Sequence, residues 1–117
     1  METENYIIAF FNLDPQYYTR AIIGDIWNAA ARKVYEETGI IIVGEVFDSY
    51  FVDPSNEVLN GQNIFTIKSI RIPHRMGTEF EYWDAYKNVV IEVKNNLGNP
   101  RIGLITEKVT LNVFEQV

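Results

Sequence analysis

The sequence predicts a ferredoxin-like βαββαβ two-layer α+β sandwich, an antiparallel four-stranded sheet with two helices on one face. Three observations predict it. An apolar run of strand length opens the chain at residues 6–11. Two amphipathic segments, each with start and stop signals, flank a pair of strand-like runs. An alternating run follows the second amphipathic segment. In this topology the first and third strands are central, and their sequences are among the most apolar.

The elements follow in order. Tyr6, Ile7, Ile8, Ala9, Phe10 and Phe11 succeed one another without a polar residue, as in a strand buried on both faces. Asp14 and Pro15 supply an N-cap acceptor and a first-turn proline. The helix they predict runs through Thr38 to a stop at Gly39. Tyr18, Ile22, Ile23, Ile26, Trp27, Ala30 and Val34 form its apolar stripe. At about 36 Å this helix outruns a strand, so Gly24 is the expected place for a bend or a close contact. The second strand spans residues 40–52, apolar on both faces at first and alternating later. Asp53 and Pro54 begin a turn, and Asn60-Gly61 signals a hairpin.

The third strand spans residues 64–72. Phe65 and Ile67 share one face, Ile70 and Ile72 the other, which predicts a bulge near Lys68 and Ser69. Thr78 and Glu81 make a capping box for a helix over residues 79–97. Phe80, Trp83, Tyr86, Val90, Val93 and Leu97 line one face, with Tyr82 and Val89 beside them. Gly98 and Pro100 end it. Val109, Leu111 and Val113 alternate as the fourth strand. Ile102, Leu104 and Ile105 form an earlier strand piece or an irregular lead-in.

The 117 residues, 47% of them hydrophobic, are expected to form one domain over 1–117 with an ample core. There is no cysteine, hence no disulfide framework and no thiolate nucleophile. A reducing compartment suits such a chain, and the cytoplasm is the expected location. No run approaches the roughly 18 apolar residues of a membrane span, so no membrane role is expected. Net charge is −6, and the window between Lys33 and Lys68 holds six acids and no base. That balance disfavours nucleic acid. Residues 64–72 also lack the glycine-and-aromatic pattern of an RNA-recognition third strand.

Two helices cover only one face of such a sheet. The other face carries Ile7, Ala9 and Phe11, with a matching apolar run in the second strand. An apolar face of that size needs a cover. A homo-oligomer, most simply a dimer packed through the sheet, is expected.

Two constellations stand out. Lys68, Arg71, His74 and Arg75 form a cationic cluster suited to an anionic group. In this topology Glu2, Glu4, Glu36, Glu37 and Glu115 can pair with it. Trp27, Tyr82, Trp83 and Tyr86, with Tyr18, form a candidate aromatic cleft. No metal, cofactor or nucleophile signature is found. The first functional reading is a small homo-oligomeric binding, assembly or regulatory module with no catalytic residues, leaning away from an enzyme. One alternative is a cofactor-independent dimeric α+β barrel enzyme, monooxygenase- or isomerase-like, with His74 or Asp84 as acid/base. Another is an acidic inhibitor or immunity-type protein that uses residues 34–67 against a basic protein partner.

Overall fold

The computed structural model describes residues 1–57 and 61–115. Six elements follow one another: β1 (Glu2–Phe10), α1 (Arg20–Thr38), β2 (Glu45–Phe51), β3 (Gln62–Ile70), α2 (Glu79–Asn96) and β4 (Ile102–Thr110). The sheet order is β2-β3-β1-β4, and every neighbouring pair is antiparallel. Both helices lie on one face. This is the ferredoxin-like two-layer sandwich, with β1 and β3 at its centre.

Alternation along β1 selects the helix-covered side. Tyr6, Ile8 and Phe10 are buried there, opposite Ser69, Ile67 and Phe65 of β3. From α1 come Ile23, Trp27, Ala30 and Val34, and from α2 come Tyr82, Ala85, Tyr86, Val89 and Val93. The other side of the sheet has no helix. It presents Ile7, Ala9, Phe47, Ile70 and Ile105 interleaved with Asn5, Lys68, Glu45 and Glu107.

Several expected boundaries move, each for a local reason. α1 begins at Arg20, not Asp14. Asp14 instead caps a separate turn, accepting from the Gln16 N–H and, through its carbonyl, from Tyr17 and Tyr18. Thr19 is extended and accepts from the Ile22 N–H, so it is the true N-cap. The shortened helix is about 28 Å long and needs no bend at Gly24. Gly39 closes it in a left-handed conformation, φ 75°.

Residues 40–44 lie outside the ladder of β2. Side chains take their carbonyls: Trp27 Nε1 donates to Ile42 at 3.4 Å and Ser69 Oγ to Val43 at 2.6 Å. Gly44 passes so close to the indole that a Cβ there would stand 2.6 Å from Trp27 Nε1.

β3 has no bulge. Its register with β1 and β2 is unbroken, and Ser69 simply takes a buried helix-side place. β4 is Ile102–Thr110, pairing residue for residue with β1. The strand piece at Ile102, Leu104 and Ile105 thus belongs to β4 together with Val109, while Leu111 and Val113 lie beyond its end and Val113 is exposed. Asn60 of the hairpin signal lies outside the described residues. Its neighbour Gly61 has φ 80° and donates to the Phe51 carbonyl. No helix among the described residues is long and apolar enough to cross a membrane.

Candidate functional site

α2 starts with both halves of its capping box in place: Thr78 Oγ1 accepts from the Glu81 N–H and Glu81 Oε1 accepts from the Thr78 N–H. That backbone bond holds the Glu81 carboxyl below its ordinary range. The cap fixes the first turn, which carries Glu79 and Phe80, with Trp83 one turn on. Across from it, only Ile102 of the helix-side residues of β4 packs against the core; Leu104, Thr106 and Lys108 remain exposed. The gap is an open groove of about 530 Å³ lined by Tyr6, Thr78, Glu79, Phe80, Trp83 and Thr106.

Tyr6 and Thr106 are register partners and form the floor. Trp83 forms the wall, its ring stacked with Tyr6 at 5.8 Å and 17° and with Tyr86 at 6.0 Å and 19°. Phe80 stands 77% exposed at the rim, off the buried stripe to which its spacing had assigned it. Burial, reinforced by Glu4 and Glu79, raises the Tyr6 pKa against the opposing effect of Arg71. Aromatic faces, one carboxylate and two hydroxyl-bearing threonines suit a planar ring system joined to a cationic group.

The expected aromatic cleft is mostly core. Trp27, Tyr82 and Tyr86 are buried, and the Tyr82 and Tyr86 hydroxyls have no hydrogen-bond partner among the described residues. Only Trp83 reaches the groove. The cationic residues have separate surroundings. Lys68 lies on the open face of the sheet, its Nζ 4.8 Å from the centre of the Phe47 ring. Arg71 is engaged by Glu4, Nε to Oε1 at 2.6 Å and Nη2 to Oε2 at 3.3 Å, both side chains largely buried. That carboxylate raises the guanidinium pKa. His74 is exposed with φ 69°, and Arg75 is exposed beside it. Asp84 faces solvent near Lys87. Tyr6, Thr78, Glu79, Phe80 and Thr106 line the groove without standing out in the sequence as candidate site residues. Thr106 was hidden by the misplaced fourth strand, and Phe80 was counted as core.

A second groove, of about 640 Å³, runs between α1 and residues 41–46. Its walls are Ile41, Ile42, Val43 and Val46 with the rings of Trp27 and Tyr35, and Arg32 is its only charged residue among those described. Both grooves have aromatic walls and they differ in charge: the first carries Glu79, the second Arg32.

The fold is thus a ferredoxin-like α+β sandwich with an aromatic, acid-bearing groove beside its second helix. The chain belongs to the SAM lyase family, whose sequence model matches residues 1–115. Comparison with the curated proteins found no match. Among solved structures it is similar to a phage SAM lyase in complex with S-methyl-5'-thioadenosine, at 12% identity over 97% of this chain and 93% of that one, TM-score 0.57. The same comparison found a phage SAM lyase in the apo state at 12% identity over 97% and 92%, TM-score 0.53. A de novo designed protein with a ferredoxin fold matches at 13% identity over 98% and 92%, TM-score 0.51. At such identities these likenesses show the fold.

Family membership corrects the functional expectation. A purely binding, assembly or regulatory module, leaning away from an enzyme, is overturned by the match to a lyase family over nearly the whole chain. The same finding overturns the protein-binding emphasis and leaves the inhibitor reading without support. The alternative of a small α+β enzyme is nearer, because the family is a lyase family and not one of oxygenases or isomerases.

Proposed function

We propose that this protein cleaves S-adenosylmethionine at its sulfonium centre, in the groove between α2 and β4. The observation that carries the reading is the family match over residues 1–115. The groove chemistry supports it. A sulfonium nucleoside is a planar base joined to a cation, and Trp83, Phe80, Tyr6 and Glu79 offer ring faces and a counter-charge. The groove beside Arg32 has ring faces in Trp27 and Tyr35 but no acid to counter the cation.

The proposed reaction is intramolecular. The substrate's carboxylate oxygen bonds to its own Cγ as the Cγ–S bond breaks. The bonding pair remains on sulfur, giving neutral S-methyl-5'-thioadenosine and a five-membered lactone. No proton moves and no water enters. A positive and a negative charge annihilate, so a groove less polar than water lowers the barrier. Holding the chain folded for the intramolecular attack supplies the rest. Trp83 would stack the base, and Glu79 would draw in the cation. A cytoplasmic setting goes with this reading, because the substrate is an intracellular methyl donor.

Incubation with S-adenosylmethionine should yield S-methyl-5'-thioadenosine by chromatography, with a lactone by NMR. An unsaturated amino acid instead would mean elimination by a base, and no product at all would sink the reading. Trp83→Ala should cost about 1–3 kcal/mol of nucleoside binding, seen as a rise in KM.

The open sheet face belongs to the same proposal. Ile105 is 61% exposed there, and Ile7, Phe47 and Ile70 lie alongside. A second copy covering this face would make the working protein a homo-oligomer.

A further inference from the structure

Arg71 ties the start of β1, remote in sequence, to the turn that enters α2, six residues further on. Its N–H donates to the Glu4 carbonyl at 3.1 Å, and its own carbonyl accepts from Thr3 Oγ1. Its guanidinium grips the Glu4 carboxylate with Nε and Nη2. The remaining nitrogen, Nη1, donates to the Gly77 carbonyl at 3.2 Å. Gly77 is the residue just before the Thr78 cap and has φ 79°. A Cβ there would stand 2.8 Å from Ile40 Cδ1, so the turn has no slack on that side. One planar fork therefore spans β1 and the entry to α2.

We infer that Arg71 is a positioning residue for the groove: by holding Gly77 against Glu4 it sets the distance between the α2 wall and the β1–β4 floor. Glu79, Phe80 and Trp83 ride on the turn that Gly77 begins, while Tyr6 sits two residues from Glu4. Arg71 itself is not among the groove-lining residues. A lysine keeps the charge opposite Glu4 but cannot reach two acceptors with a rigid fork. Removing the charge altogether would strand a buried carboxylate, so the lysine variant is the informative one.

This inference rests on the proposed S-adenosylmethionine cleavage, and the experiment separates the two. Wild type, Arg71→Lys and the control Arg75→Lys are labelled with 5-fluorotryptophan and assayed for turnover. The chain has two tryptophans, so Trp27 serves as an internal fluorine reference for Trp83. Arg71→Lys should shift or broaden the Trp83 resonance and leave that of Trp27 in place. It should raise KM about tenfold while kcat stays within about threefold, because wall contacts bind ground and transition states alike. Arg75→Lys should change neither. If Arg71→Lys fails to fold, Glu4→Gln is read in the same way, since it keeps the shape and loosens the fork's anchor. A lower melting temperature with an unmoved Trp83 signal and unchanged KM would make Arg71 merely structural and overturn the inference. Wild type without turnover would sink the proposed activity, and the fluorine signal alone would then decide the role of Arg71.

Discussion

Tyr82 and Tyr86 carry hydroxyl groups into an interior built from Tyr6, Trp27 and each other, with ring centres 4.8–6.3 Å apart. Burial raises both pKa values, helped at Tyr82 by Tyr6 and at Tyr86 by Tyr82. The Ser69 hydroxyl opposes the shift at Tyr82 without reaching hydrogen-bond geometry. A phenol with a raised folded pKa keeps its proton longer in the folded chain than in the unfolded one. Stability is therefore whole below about pH 10 and falls as pH climbs past it. An unpaired buried hydroxyl also carries a desolvation cost of about 1–3 kcal/mol. Tyr82→Phe and Tyr86→Phe should hold or raise the melting temperature at pH 7 and flatten its alkaline decline. A marked loss at pH 7 would show that the hydroxyls do have partners. At this scale the sequence was partly readable. Pairing of Glu4 with the cationic stretch followed from topology, because the start of the first strand must lie beside the end of the third. Burial of Trp27, Tyr82 and Tyr86 could not follow, since a spacing of three and four marks a face without saying how deep it sits.

α2 is the element that the sequence describes best, because capping is local chemistry. Thr78 and Glu81 need only each other, and the structure has both bonds. Thr78→Ala should cost about 1 kcal/mol, measured by denaturant unfolding. Because the folded Glu81 pKa is lowered, its contribution is present above the ordinary carboxylate range and is lost as pH falls through the folded value. The variant should therefore lose less stability than wild type on acidification, and parallel pH profiles would refute that. Elements that depend on remote partners were read less well. Residues 40–44 have a strand's composition, yet Trp27 and Ser69 take their carbonyls away from a ladder. β4 was displaced because its ladder with β1, and not its own alternation, decides its span.

For the whole molecule, the decisive reading failed for a chemical reason. Nucleophiles, bases and metal ligands leave spacing in a sequence. The reaction proposed for this groove, in which the substrate attacks itself, requires a shaped surface, and shape comes from packing between distant elements. The open sheet face is the second feature at this scale. Light scattering should find a mass above one chain at micromolar concentration, and Ile105→Lys should lower it to a monomer. A monomeric wild type would leave that face bare.

The place of β1 between β3 and β4 has a temporal consequence. Both of its partners are made after it, and its ladder with β4 joins Glu2 to Thr110. Contacts that span so much of the chain form slowly, because the intervening loop must close before any pairing repays it. During synthesis β1 waits with two apolar faces and two unpaired edges, first for β3 and then for β4. The most protected strand of the finished sheet is thus the most exposed strand of the growing one, and nascent chains are open to mispairing there above all.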